Sequence, residues 1–325
     1  MGASRRGRRA ADLQWTARAQ NGSGEMTRKI QVHQVDAFTR EPFTGNPTGV
    51  VLNADVLSEA HMLAIARELN NAETAFILAP DGDDHTVRAR FFTPRSEAGF
   101  VGHATVAAQY VLSRRAEAPR WQRQKSKAGI VDVEVRGVGE DRRIAIRRSP
   151  PPLGRELNDR ERLAVLDALA LASESLDTRI PPRIVGAAGT RLLIGVRGAE
   201  PLKQLKPDLA RLTTLSAQIG AAGYFVFTLT PQADDHSTES RMFCPALGIA
   251  EDPVSGNAHG LLGAYLAHLG LLGRSGVRAR FTGVQGHSLH RPGRVEVELD
   301  FNGDELTGVW ISGQAVSIFQ TEIVF

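Results

Sequence analysis

Three side chains in this sequence have the chemistry to move a proton, and two short stretches could seat the anion that such a reaction handles. Glu73 lies in Ala72-Glu73-Thr74, where a helical pattern gives way to the apolar run Thr74 to Leu78. A carboxyl group at the mouth of a buried strand is partly desolvated, and desolvation raises its pKa toward the range that general acid/base catalysis needs. A solvated glutamate at a helix–strand junction fits the same residues. His103 opens the run GHATVAAQYVL (102 to 112), where the positive end of a helix disfavours an imidazolium and leaves a neutral ring able to give or take a proton. A capping or packing histidine is the alternative there. Asp252 stands before Pro253 in EDPVSGNAHGLLGAYL (251 to 266), either as a proton carrier or as the cap of a turn.

The elements that must position these groups come next. Ala258, Leu261, Leu262, Tyr265, Leu266 and Leu269 follow helical spacing, which predicts an amphipathic helix with one buried face and with Gly256 and Asn257 at its start. Ala104, Ala107, Ala108, Val111 and Leu112 repeat the pattern behind Gly102. Each helix start offers unpaired N–H groups and a positive dipole end, a seat for a carboxylate or phosphate.

Upstream, RFFTP (90 to 94) recurs as RMFCP (241 to 245), and AETAFIL (72 to 78) as AAGYFVF (221 to 227). Three matched blocks in one order predict a duplicated domain. This alignment pairs Glu73 with Ala222. Only one half supplies the carboxylate, which favours a single base that takes a proton from one carbon and returns it to another over a symmetric two-base racemase.

Helices embedded among many strands, in two similar halves, read as an α+β fold. Consecutive prolines in SPPPLG (149 to 154) mark a linker, so the halves are expected at 30–148 and 155–325, behind a disordered basic leader, 1–29. The leader holds seven Arg and Lys against Asp12 and Glu25, so a chain of net charge +3 has a body of about −2. A mildly acidic body argues against a nucleic-acid partner. The leader lacks the apolar segment of a secretory signal and reads as an overlong start before Met26. No apolar run approaches the roughly 18 to 20 residues of a membrane span.

Cys244 is the single cysteine, which excludes an intrachain disulfide and two-thiol chemistry and suits a reducing cytoplasm. The histidines lack metal-ligand spacing, so no metal is expected, and the dinucleotide, P-loop and nucleophile-elbow motifs are missing.

The segments VDAFTREPFTGNP (35 to 47), NNAETAFIL (70 to 78), RFFTP with GFVGHATVAA (90 to 108), and RMFCPALGIAEDPVSGNAHGLLGAYL (241 to 266) together resemble the PhzF family of phenazine-biosynthesis proteins. The resemblance spans essentially residues 30 to 325. It implies the diaminopimelate epimerase-like fold: two lobes, each a barrel-like sheet around a central helix, with the active site in the cleft between them and the last strand able to return to the first lobe. It implies a homodimer and a cofactor-free isomerisation in which Glu73 is the acid/base and His103 and Asp252 assist. The substrate-binding positions would be Asn46, Gly102, Ala104, Thr105, Ser255, Gly256 and Asn257. Two motifs depart from the family: Ala104 stands in Gly-His-Ala-Thr where proline is common, and Asn257 where serine is common. The expected activity is a proton shift within a small carboxylate-bearing metabolite, with a non-catalytic metabolite binder or a racemase/epimerase of the same fold as rivals.

Overall fold

In a computed structural model, residues 28–114, 120–187, 190–230 and 237–325 are described. The leader before Arg28 and most of the expected polar loop 232–239 lie outside them. The first half runs β1 (Lys29–Ala37), β2 (Asn46–Val51), α1 (Glu59–Leu69), β3 (Thr74–Leu78), β4 (Val87–Phe92), β5 (Glu97–Ala98), α2 (Gly102–Ser113), β6 (Arg120–Ser126), β7 (Gly129–Arg136), β8 (Arg143–Arg148) and β9 (Leu153–Glu156). The second runs α3 (Asp159–Ala168), β10 (Arg183–Val185), β11 (Arg191–Val196), α4 (Glu200–Gln204), α5 (Leu209–Ile219), β12 (Tyr224–Leu229), β13 (Thr238–Cys244) and β14 (Ile249–Asp252). It ends with α6 (Gly256–His268), β15 (Arg274–Ser275), β16 (Arg278–Gln285), β17 (Gly293–Asn302), β18 (Glu305–Gly313) and β19 (Ala315–Val324).

The two halves share one pairing plan. β2–β3 and β11–β12 are parallel, and β3–β4 and β12–β13 antiparallel. β4–β6 and β13–β16 are again parallel, and the meanders β6–β7–β8 and β16–β17–β18 follow. β8 pairs with β18, which makes one continuous sheet of the two lobes, and β19 lies antiparallel along β1 as β9 does along β10. The fold is α+β, with a large sheet and few helices. The chain between the lobes is shorter than SPPPLG suggested, because Leu153 and Gly154 already belong to β9.

The ladders correct the alignment of the copies by one residue. Thr74 faces Phe92 across β3–β4, and Tyr224 faces Phe243 across β12–β13. With RFF (90 to 92) matched to RMF (241 to 243), Thr74 corresponds to Tyr224 and Glu73 therefore to Gly223, not Ala222. Burial agrees: Ala75 and Ile77, like Phe225 and Phe227, face the shared core, while Phe76 and Val226 face the outer ones. Strand alternation makes a one-residue slip put the wrong face inward.

α6 is not amphipathic. Every residue from Ala258 to Leu266 is buried, as are most of α2's, because each helix runs inside a curved sheet and meets protein on all sides. Glycines let the sheet approach: a Cβ on Gly260 would stand 2.7 Å from the Ile311 side chain, and one on Gly263 2.9 Å from Val297. Both helices share one core with the inner faces of the sheets. The Ser58 cap of α1 is in place, its side chain accepting from the His61 N–H.

The halves fill equivalent core positions differently. In the first, Thr105 on α2 accepts a hydrogen bond from the Gln124 amide on β6 at 3.0 Å. In the second, those places hold His259 and Gly283, and a Cβ on Gly283 would sit 2.3 Å from the imidazole. Gly283→Ala should therefore cost about 1–3 kcal/mol by overpacking. Adding His259→Thr should recover part of that loss in urea unfolding; additive losses would show that the two sites do not share one volume.

Candidate functional site

α1 ends at Asn70 in the left-handed conformation (φ 51°), and the chain turns so that Glu73 immediately precedes β3. The Thr48 hydroxyl on β2 donates to the Glu73 carbonyl at 2.7 Å, which fixes the backbone there. α2 begins at Gly102 after Val101, whose side chain caps nothing, so the N–H groups of its first turn have no side-chain acceptor. Beside Gly102 the space is open, since a Cβ built there meets nothing within 4 Å.

The Glu73 carboxyl and the ring of His103, the residue after Gly102, stand 3.4 Å apart, Oε2 to Nε2, with only 13% and 9% of their side chains exposed. Both atoms are buried without a hydrogen-bond partner in the protein. Burial, and next the nearby charge of Asp252, push the Glu73 pKa up to about 8, against the opposing pull of Arg191. Burial alone pushes His103 down to about 4. At neutral pH the pair is thus mostly a protonated carboxyl facing a neutral imidazole, not an ion pair. At 3.4 Å their contact is too long for a good hydrogen bond.

Asp252 arrives from the other half. It closes β14, and its carboxylate accepts from the Asn46 amide at 2.7 Å; the same Asn46 nitrogen donates to the Val254 carbonyl at 2.9 Å. Burial raises the Asp252 pKa, opposed by Arg191 and by hydrogen bonds from Asn46, Val254 and Ser255. Gln285 clasps the turn, donating to the Asp252 carbonyl at 2.5 Å and accepting from the Ser255 N–H at 3.0 Å. The chain just before Asn46 is held by Arg291, which donates to Asp36 at 2.6 Å and to the carbonyls of Thr44 and Gly45. Phe38 adopts φ 64°, a strained value for a non-glycine residue, and its ring lies against the position where a Gly256 Cβ would be.

The structure brings Glu73, His103, Asp252 and Asn46 together with the start of α2. Ser255 serves as the N-cap of α6 by accepting from the Ala258 N–H, and Gly256 and Asn257 open that first turn. Ala104 and Thr105 are fully buried, and the Thr105 hydroxyl donates to the Val101 carbonyl, so their side chains present nothing to the cleft. Among the described residues no three His, Cys, Asp or Glu side chains gather as metal ligands. Among them, too, no helix is long and apolar enough to cross a membrane. Two grooves, of about 1030 and 530 Å³, are lined by none of these side chains.

Sequence reasoning missed Arg191 and the setting of Cys244. Arg191 starts β11 and is 9% exposed, and its charge acts on Glu73, Asp252 and Cys244 alike. The Cys244 thiol lies against Gly223 and is pushed up to about 12, chiefly by burial.

A family model described as phenazine biosynthesis-like protein (PhzC-PhzF) matches residues 35–321. A protein of Escherichia coli named Uncharacterized isomerase YddE is 40% identical over 297 residues, 90% of this chain and 98% of that protein. An uncharacterized isomerase of Clostridium acetobutylicum is 39% identical over 92% of this chain and 99% of its own length. The crystal structure of a Bacillus anthracis phenazine biosynthesis protein of the PhzF family superposes with a TM-score of 0.81 at 29% identity, covering 92% of this chain and all of that one. A hydroxyproline epimerase from Agrobacterium vitis, at 13% identity and a TM-score of 0.60, shares the fold alone.

The raised Glu73 pKa has a consequence for stability. A carboxyl group whose folded pKa lies above its unfolded value favours folding fully below the unfolded pKa, near 4.5, and loses that contribution as pH rises through about 8. Glu73→Gln keeps the shape and removes the ionisation. Its unfolding free energy should match the wild type below about pH 4.5 and exceed it increasingly up to about pH 8, by an amount on the order of a few kcal/mol, read as a higher melting temperature. Parallel melting curves across that range would mean that Glu73 is not desolvated.

Proposed function

Because the chain belongs to the phenazine biosynthesis-like protein family, we propose that it is a cofactor-independent isomerase that moves a proton within a small carboxylate-bearing metabolite. The observation that carries this reading is the pair of partnerless buried atoms, Glu73 Oε2 and His103 Nε2, facing each other beside an uncapped helix start. Glu73 as carboxylate takes the proton from the substrate carbon and returns it to another. His103, neutral across the physiological range, relays or orients that proton, and Asp252, fixed by Asn46, keeps Glu73 basic through its nearby charge. The N–H groups opening α2, with those of Gly256 and Asn257, hold the carboxylate and the negative charge that develops as the proton leaves.

A single base is favoured over a pair because the place equivalent to Glu73 in the second half is Gly223. A side chain there would collide with the Cys244 sulfur at 2.5 Å and with the Phe243 carbonyl at 2.9 Å.

Once a turned-over substrate is identified from a metabolite library, Glu73→Gln should lower kcat by about 10²- to 10⁴-fold with the fold intact. Full turnover and solvent-deuterium incorporation in that variant would remove Glu73 as the base. In the wild type, kcat/KM should rise about tenfold per pH unit below an apparent pKa near 8 and level off above it, as the carboxylate form of Glu73 fills. A profile flat from about pH 6 to 9 would exclude Glu73 as the titrating base. Loss of stereochemical purity without a double-bond shift would make the enzyme an epimerase.

A further inference from the structure

The two halves repeat the same strands, so what replaces the Glu73 neighbourhood in the second half is informative. In the first half Thr48 on β2 stands next to Glu73, with Gly49 paired to Thr74. In the second half Leu192 is paired to Tyr224, which puts Arg191 in the place of Thr48 and Gly223 in the place of Glu73. Where one half has threonine and a carboxyl group, the other has an arginine beside a glycine. Strand alternation sets Arg191 on the same face as Leu193, which belongs to the core shared with Ala258 and Leu261 of α6. The segment before it lies against α6 as well, since a Cβ on Gly186 would meet Leu261 at 3.3 Å and the Thr190 Cα at 3.5 Å. Across the sheet from Arg191 come Gly223, then Cys244, then β14 with Asp252. One guanidinium N–H donates to the Thr190 carbonyl at 3.0 Å, which steadies the side chain.

We propose that Arg191 anchors an anionic group of the ligand, so that a bound carboxylate spans from the α6 side, at Arg191, toward Glu73 and the open start of α2. This deepens, and rests on, the reading of the site as one for carboxylate-bearing metabolites. Arginine suits this role, since guanidinium binds carboxylate through paired N–H groups and stays charged at any working pH. Among the described residues the charged groups acting on Glu73 are Asp252 and Arg191, and of these only Arg191 can attract an anion. The unpartnered His103 Nε2, nine-tenths buried, marks the other end of the space that the ligand occupies. Arg191 also acts on the base: its charge draws Glu73 down against burial, and a bound anion would offset that pull.

The test uses the full chain and simple probes, acetate, succinate and benzoate, each against its amide, by calorimetric titration. The wild type should prefer the carboxylates by about tenfold or more, as a charge-assisted contact implies. Arg191→Gln should lose that preference, Arg191→Lys should keep part of it, and Glu73→Gln should keep it in full below the Glu73 pKa. Equal binding of acids and amides by the wild type, or an undiminished preference in Arg191→Gln, overturns the proposal. If Arg191→Gln does not fold, carbon-13 NMR of glutamate-labelled wild type decides: saturating benzoate should raise the Glu73 titration midpoint, and an unmoved midpoint rejects the anchor. Because these are equilibrium readouts, a fully active Glu73→Gln would remove the isomerase mechanism while leaving the anchor standing, and a failed anchor would leave the mechanism untouched.

Discussion

Keeping one carboxyl group dry is the constraint to which the site is built. Glu73 is removed from water at the junction of α1 and β3 without a hydrogen-bond partner for its outer oxygen, an arrangement that costs free energy unless the group stays protonated. Three features keep it so. The second half supplies Asp252 within electrostatic reach, α2 presents a neutral histidine in place of a cation, and the Thr48 hydroxyl fixes the Glu73 backbone through its carbonyl. The outlying residues serve this in turn. Arg291, Asp36 and Phe38 shape the loop that carries Asn46, and Asn46 holds Asp252. A structure selected for stability alone would place an amide at position 73.

The two halves share one plan with two equivalent helix starts, and they differ at neighbouring positions together. Glu73 with Thr48 in the first half stands against Gly223 with Arg191 in the second, and Thr105 with Gln124 against His259 with Gly283. In both exchanges a larger side chain on one partner is met by a glycine on the other, as close packing of a buried interior demands. The openings differ accordingly: space is free beside Gly102, whereas Gly256 is backed by Phe38 and Ile311.

Much of this was legible in the sequence. The repeated blocks, the strand ends RFFTP and RMFCP and the glycine-led helices were visible, and so were Glu73, His103 and Asp252 as candidates. Three things were not, each for a physical reason. Alignment by composition slipped one residue at Glu73, because apolar strand residues look alike and only the ladder with β4 and β13 sets the register. The i, i+3, i+4 pattern in α6 suggested one buried face; its glycines, which carry no hydropathy signal of their own, turned out to mark contact with the sheet. Arg191 was invisible because an arginine at the head of an apolar strand is usually a solvated strand end, and its burial follows from sharing the Leu193 face of β11, which packs in one core with α6.

The pairing of β19 with β1 bears on how the protein is made. During synthesis β1 emerges well before β19, so one edge of the first lobe stays unpaired until that strand of 10 residues leaves the ribosome. The second lobe closes its equivalent edge with β9, which is made before β10. Assembly order is therefore inverted relative to chain order: the later-made lobe can finish first, and the nascent first lobe carries an open strand edge, a target for chaperones or for pairing with a neighbouring chain.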